Sequence, residues 1–204
     1  MLCDWCDLTL RSISNKTTFK TLHKAGFPSD VNDMKTYQKL VFRILLNPIS
    51  DIIYDVLAFR RKYFEGKVVI GIQIRCGGTL ADSHESTRIL DNNQLKRIPE
   101  RIMERLSYYK VDPASSVLFI STDSTKAFQH IQSQLGKQNF TVLESSMYER
   151  GHTTAAKLSE DHLKRALVDL YLLAESDIIL RSHSSFGLLA CIISRNQACI
   201  QMTW

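Results

Sequence analysis

Apolar segments of strand length alternate with amphipathic segments along most of the chain, and this alternation constrains the fold more than any other feature. Five segments are apolar throughout instead of alternating with polar residues, at residues 68–74, 117–120, 140–143, 178–180 and 198–202. Strands of that kind are buried on both faces, which is typical of a parallel sheet covered by helices on each side. The pattern therefore predicts an α/β fold.

Between the strands, apolar residues recur at helical spacing and predict four helices. These residues are Leu95, Ile98, Ile102, Leu106 and Tyr109; Ala127, Ile131 and Leu135; Leu163, Leu167, Leu170 and Ala174; and Phe186, Leu189, Ala190 and Ile193. We expect right-handed crossovers and the strand order 3-2-1-4-5, which makes residues 66–204 one Rossmann-like domain. Residues 1–65 are predicted to form an irregular arm and two helices, the second marked by Ile53, Val56, Leu57 and Phe64.

Charge and motif content argue against several classes of protein. The chain has 26 Lys and Arg residues against 21 Asp and Glu residues, but no basic run with interleaved aromatic residues, so we expect no nucleic-acid partner. No apolar segment approaches the ~18 residues that a membrane span needs. The phosphate-binding motifs GxGxxG and GxxxxGK[ST] are missing. No Asp-x-Asp pair is present to clamp a metal, so we expect a metal-free site that uses cationic side chains and no cofactor.

The cysteines do not form the dense pattern of a disulfide scaffold. Cys3 and Cys6 have the spacing of half a zinc site, but no second pair follows, so a disulfide or two thiols is the favoured interpretation. Two glycosylation sequons, at Asn15 and Asn139, permit a secretory location without arguing for one.

Polar residues follow the predicted strands at their carboxyl ends, where open parallel sheets bind ligands. A guanidinium at this rim, on Arg75, can hold a phosphate with two hydrogen bonds; the alternative is a structural salt bridge to a helix. Ser184 and Ser185 begin the last helix, so they either cap it or also face an anion. The candidate substrate-binding residues are Gln73, Arg75, Gly77, Thr122, Asp123, Asp169, His183, Ser184, Ser185 and Phe186.

Two acidic residues allow opposite interpretations. Asp123 follows a strand and precedes a helix, so it either contacts a sugar hydroxyl or serves as an N-cap. Asp169 lies in an apolar helix and is either solvated on the outer face or turned towards a base or ribose. Spacing alone favours the solvated position for Asp169.

Three sequence blocks resemble the fucosyltransferase superfamily that contains the α1,2-, α1,6- and protein O-fucosyltransferases. The blocks are VIGIQIR at residues 69–75, FISTD at residues 119–123, and residues 165–187, which run from RALVDLYLLAESD into SHSSFG. The last block looks most like the plant xyloglucan fucosyltransferases. Asp169 also stands 16 positions before Ser185, as a matching acid and serine do in the α1,6 enzymes.

The resemblance implies that residues 66–204 are the C-terminal, donor-binding half of a GT-B glycosyltransferase and that residues 1–65 are a remnant of, or linker from, an acceptor domain. Arg75 then resembles the arginine on the β-phosphate of GDP-fucose, Ser185 the serine on the diphosphate, and Asp169 the acid that recognises guanine. The implied reaction is inverting transfer of fucose to a glycan or protein hydroxyl. Candidates for the catalytic base, beside Arg75 as the charge-stabilising group, are Asp82, His84 and Glu85.

Two departures from the family pattern are visible. Gln73 occupies a position that is often histidine, and Cys76 occupies one that is often a second arginine. A full acceptor domain does not fit into residues 1–65, so we expect a fragment or another way of building the acceptor site. A silent nucleotide-binding module, a transferase for another sugar nucleotide and a phosphate-binding regulatory domain remain alternatives. Family members work in the Golgi lumen behind an anchor; without one, a cytoplasmic location is expected.

Overall fold

The computed structural model describes residues 49–76, 92–148, 159–194 and 198–202, all within one compact unit, Pro48–Trp204. A short 3-10 turn, Pro113–Ser115, precedes the second strand. In chain order the main elements are α1 (Ser50–Tyr63), β1 (Val68–Ile74), α2 (Asn92–Tyr108), β2 (Ser116–Thr122), α3 (Thr125–Gly136), β3 (Thr141–Leu143), α4 (Glu160–Ala174), β4 (Ile178–Arg181), α5 (Ser185–Ile193) and β5 (Ala198–Gln201).

The strands form one parallel sheet in the order β3-β2-β1-β4-β5. Strand β2 is buried along its whole length and β1 along all but its first residue, as their apolar sequences predict. The predicted α/β class, parallel sheet and strand order are therefore confirmed. The order also fixes a switch point, because the chain moves outward from β1 to β3 and then returns to the other side of β1 to build β4.

Helices cover both faces of the sheet. On one face, Ile70 and Ile72 of β1 belong to a fully buried cluster with α2 and α3 that includes Ile98, Ile102 and Ile131. The alternate residues of β1 point the other way, because side chains of a strand alternate between faces. The second face of the sheet is covered by α1, α4 and α5. The polar residues of the candidate site lie on this face.

Close packing on the second face depends on Gly71 of β1. A Cβ at this position would lie 2.6 Å from the Ser176 hydroxyl and 3.1 Å from Leu173, at the end of α4. An aromatic group fills the adjacent space, where Phe59 of α1 meets Phe119 of β2 edge to face at 5.7 Å between ring centroids. Helices α1 and α4 are thereby held directly against the central strands.

A disulfide joins Cys191 of α5 to Cys199 of β5, with 5.8 Å between their Cα atoms. No local sequence motif marks this pair, whose two cysteines stand eight positions apart. The two cysteines meet only because β5 pairs with β4, which brings Cys199 close to α5. Cys3 and Cys6 lie outside the described residues.

Three apolar patterns differ in detail from the structure. In α1 the buried residues are Ile52, Val56 and Phe59, whereas Ile53 and Leu57 are each 38% exposed. In α4, Leu163 and Leu167 are exposed as well. Helix α2 continues through Pro99, which removes one backbone donor from the helix interior. Periodicity located these helices correctly but did not identify the whole buried face.

Candidate functional site

The candidate site lies at the switch point, beyond the carboxyl ends of β1 and β4. Parallel sheets bind ligands there because neighbouring loops leave in opposite directions and open a crevice. Arg75 follows β1 directly, and the loop after β4 leads into the N-terminus of α5 at Ser185. The structure thus brings the predicted arginine and the predicted serines to adjacent strand ends.

Arg75 forms a salt bridge with Asp123, with 3.0 Å between Nη1 and Oδ2 and with 27% and 12% of the two side chains exposed. The other carboxylate oxygen of Asp123 accepts a 2.8 Å hydrogen bond from the backbone N–H of Cys76. The expectation that Asp123 could be an N-cap is wrong, since Ser124 caps α3 by accepting from the Ala127 N–H. Asp123 instead orients the arginine and the start of the next loop.

The salt-bridge alternative for Arg75 is therefore observed, but its partner is a neighbouring site residue and not a helix. A guanidinium is a planar fork with five N–H donors, so an ion pair with a carboxylate is compatible with phosphate binding. The pair fixes the direction of a side chain that otherwise has many rotamers. Orientation by Asp123 is what a preorganised phosphate-binding arginine requires.

Cys76 and Thr122 line the base of the same loop. The Cys76 thiol lies 3.7 Å from the Thr122 hydroxyl, and burial together with the negative charge of Asp123 raises the pKa of Cys76 to about 11. The thiol is therefore neutral at physiological pH and adds no charge to the site. The Thr122 hydroxyl also accepts from the Ser124 N–H, so it supports the loop that carries Asp123.

Ser182 connects the two sides of the crevice, a role that no local sequence signal indicated. Its hydroxyl donates to Gln73 Oε1 at 2.8 Å and accepts from the Arg75 N–H at 3.0 Å. Gln73 is only 4% exposed. Its side chain therefore contributes by holding β1 to β4 beneath the crevice. Gly187 lets α5 approach closely, since a Cβ there would lie 2.7 Å from Gln73 Oε1.

The N-terminus of α5 forms the second side of the crevice. Ser184 is the N-cap, and its hydroxyl accepts from the Phe186 N–H at 3.2 Å. Ser185 is the first helical residue and is exposed, as is His183, while Phe186 is half-buried. A helix N-terminus carries a partial positive charge and unpaired N–H groups, which suit an anion. The cap predicted for this serine pair is confirmed at Ser184.

Asp169 is buried, with 5% of the residue exposed, so the solvated position that spacing favoured is wrong. Its carboxylate accepts hydrogen bonds from the hydroxyls of Ser121, at 2.9 Å, and Ser145. Ser121 is the cross-strand neighbour of Gln73, so Asp169 lies on the same sheet face as the crevice and one strand away from it. The structure turns this acid inward, as the second interpretation required.

An ion-pair network supports Asp169 from its own helix. Arg165, four residues earlier, has Nε 3.9 Å from Asp169 Oδ1 and binds Glu144 at 2.8 Å and the Tyr148 carbonyl at 2.9 Å. Burial lowers the pKa of Arg165, and the charge of Asp169 opposes that shift. The i, i+4 spacing of Arg165 and Asp169 was the available sequence signal. Glu144 and Ser145, beyond β3, had no signal except their place after a strand.

Other predicted residues and features fall elsewhere. Gly77, Asp82, His84 and Glu85 lie outside the described residues. A cleft of about 460 Å³ between α1, α3 and the end of β3 contains none of the predicted site residues.

Within the described ranges, no group of three or more His, Cys, Asp or Glu side chains is arranged to hold a metal, and metal independence stays a prediction. No helix in this part of the chain is long and apolar enough to cross a membrane.

Comparison with solved structures finds fucosyltransferases at low identity. Fucosyltransferase NodZ from Bradyrhizobium is 18% identical over 71% of this chain and 42% of its own, with a TM-score of 0.46. POFUT1 in complex with GDP-fucose is 10% identical over 74% and 46%, with a TM-score of 0.48. A mutant of Arabidopsis thaliana FUT1 in complex with GDP is 14% identical over 74% and 32%, with a TM-score of 0.44. The chain spans less than half the length of these structures.

No curated protein matches the sequence at a significant level. The family model of nodulation protein Z (NodZ), in contrast, matches residues 33–195, which is well over half of the chain. The matched range includes Arg75, Asp123, Asp169 and Ser185, the residues on which the resemblance to fucosyltransferases rested. The chain belongs to the NodZ family.

Proposed function

We propose that the protein is an inverting fucosyltransferase that moves fucose from GDP-fucose to a hydroxyl of a glycan or a glycoprotein. The observation that carries the proposal is the crevice at the switch point in a chain of the NodZ family, where Arg75 at the end of β1 and the N-terminus of α5 after β4 follow adjacent strands. This arrangement offers one cation and one helix terminus to a diphosphate. Both groups are held in place before any ligand arrives.

The diphosphate is the group that this crevice suits best. As the bond between fucose C1 and the β-phosphate oxygen breaks, negative charge grows on the departing GDP. Arg75 and the N–H groups at Ser185 stabilise that charge, and such preorganised donors supply a large share of enzymatic rate enhancement. Two donor groups of this kind perform the role that a divalent metal fills in many sugar-nucleotide enzymes.

We assign recognition of the guanine base of GDP-fucose to Asp169. Guanine presents an N1–H and a 2-amino group side by side, and a carboxylate can accept both. Ser121 and Ser145 fix the plane of the Asp169 carboxylate, and Arg165 lies beside it. Because Asp169 lies on the crevice side of the sheet, one nucleotide is proposed to extend from the crevice towards it.

The acceptor hydroxyl attacks C1 of fucose from the face opposite to GDP, and inversion results. Its oxygen forms the new C1–O bond while its proton passes to a base, a step that a positioned side chain accelerates. Asp82, His84 and Glu85, in the segment that follows Arg75, are the proposed candidates. All three follow Arg75 within ten positions of the sequence, which is the reason for choosing them.

We place the protein in the Golgi lumen, where family members of this kind act. The disulfide between Cys191 and Cys199 supports an oxidising compartment, since cytosolic proteins keep their thiols reduced. A second candidate function is GDP binding without transfer, which the same crevice geometry would also serve. In that case the crevice would bind nucleotide and no acceptor would be fucosylated.

Two assays on the full chain test the proposal. GDP at about 100 times its Kd should add about 2.7 kcal/mol of stability and raise Tm by roughly 5–10 °C, whereas UDP should not. GDP release from GDP-fucose with glycan and glycoprotein acceptors should then report transfer. Stabilisation by GDP without release would support the silent module, stabilisation by UDP would support another donor, and indifference to both nucleotides would refute the proposal.

A further inference from the structure

The sequon at residues 139–141 begins in the exposed turn between α3 and β3 and ends at the first residue of β3, Thr141. Asn139 adopts the left-handed conformation, with φ of 63°, and its N–H donates to the Gly136 carbonyl at 3.0 Å. Asn139 and Thr141 are exposed, whereas Phe140 between them is 6% exposed and anchors the turn in the core. The two residues that define the sequon therefore remain accessible while the backbone around them is fixed.

The turn is on the opposite edge of the sheet from the proposed donor site. A helix that returns the chain to a parallel strand delivers it to the strand's amino end, so the α3–β3 connection lies at the amino edge. Arg75, Asp123 and the N-terminus of α5 all follow carboxyl ends. Strand β3 is also at the border of the sheet. A bulky group on Asn139 would project into solvent without entering the crevice.

The disulfide supplies an independent sign of the compartment. The Cys191–Cys199 bond joins two elements on the far side of the sheet from β3 and is typical of proteins that fold in an oxidising environment. N-linked glycosylation takes place in the same secretory environment and marks surface turns of the proteins made there. The accessible sequon and the disulfide therefore point to one history for the chain.

We infer that Asn139 carries an N-linked glycan. In this step the Asn139 amide nitrogen attacks C1 of an oligosaccharide held on a lipid diphosphate. The C1–N bond forms, the bond from C1 to the phosphate oxygen breaks, and the amide loses one proton as the lipid diphosphate departs. The inference rests on the proposed luminal location and not on donor binding or transfer.

The test uses the full chain purified from the organism that makes it. Peptide N-glycosidase in ¹⁸O water should convert Asn139 into ¹⁸O-labelled aspartate, which mass spectrometry of the peptide reports separately from Asn15. An unmodified Asn139 would overturn the inference. If the Cys191–Cys199 bond is then intact, the luminal location survives and only the glycan is refuted; if both thiols are free, the location fails as well.

A pair of variants at one exposed position separates the modification from any folding defect. In eukaryotic secretory expression, Thr141→Ser keeps the sequon and should keep the glycan on Asn139, whereas Thr141→Ala should lose it. Both variants should retain the thermal shift with GDP, because the turn is remote from the crevice. A glycan on Asn139 in the Thr141→Ala variant, or none in the Thr141→Ser variant, would contradict the inference.

Discussion

Ser182→Ala removes the hydroxyl that ties the end of β1 to the end of β4. The change leaves Gln73 Oε1, in a residue only 4% exposed, without its donor and the Arg75 N–H without its acceptor. A buried polar group that loses its partner costs about 1–3 kcal/mol. We expect a loss of about 2 kcal/mol in the free energy of unfolding, and a fall in Tm of roughly 4–8 °C.

The same variant separates a positioning role from a purely structural one. Ser182 sets the spacing between Arg75 and the N-terminus of α5, so calorimetry should show that GDP loses about tenfold more affinity than guanosine, which lacks phosphates. Ser133→Ala, on the exposed surface of α3, is the matched control and should change stability by less than about 0.5 kcal/mol. Equal weakening of GDP and guanosine would refute the reasoning.

Three further changes test other parts of the site. Gly187→Ala places a methyl group 2.7 Å from Gln73 Oε1, so it should lower Tm and GDP affinity, with a loss of about 1–3 kcal/mol in the free energy of unfolding. The control, Gly136→Ala, meets no atom within 4 Å and should be neutral. An unchanged Tm in Gly187→Ala would contradict the close packing of α5. Asp169→Asn should lower the affinity for GDP roughly tenfold, about 1.4 kcal/mol, and abolish any preference for GDP over IDP, which lacks the 2-amino group. An unchanged ratio of the GDP and IDP affinities would contradict the assignment of Asp169 to guanine. Reduction of the Cys191–Cys199 disulfide should lower the free energy of unfolding by about 2–3 kcal/mol and Tm by roughly 5–10 °C. An unaffected melting curve in reductant would show that the bond is not formed.

The sheet could be predicted from the sequence because its strands are buried on both faces and are therefore apolar throughout. Strand β1 begins and ends where its apolar run does, at Val68 and Ile74. The helices were located less completely. Ile53 and Leu57 fit the apolar period of α1, yet Ile52 and Phe59 face the core, since the direction of a helix is set by what it packs against.

For the candidate site, the sequence predicted which residues follow adjacent strand ends but not how they connect to one another. The carboxyl-end rule selected Arg75, Asp123 and Ser184 from local sequence alone. The pairing of Arg75 with Asp123 and the bridging role of Ser182 depend on strand register, which a single segment does not reveal. The inward direction of Asp169 depends likewise on serines contributed by two other strand ends, and the disulfide depends on the pairing of the last strand with β4.

The central claim is that Arg75 holds the diphosphate of the nucleotide, and calorimetric titration of GDP into Arg75→Ala tests it most directly. Two charge-assisted hydrogen bonds are at stake, so we expect a loss of about 3 kcal/mol, which is roughly a hundredfold in Kd. Arg60→Ala on α1, which breaks a surface ion pair with Glu175 at the end of α4, is the matched control and should bind GDP as the wild type does. Wild-type affinity for GDP in Arg75→Ala would contradict the account.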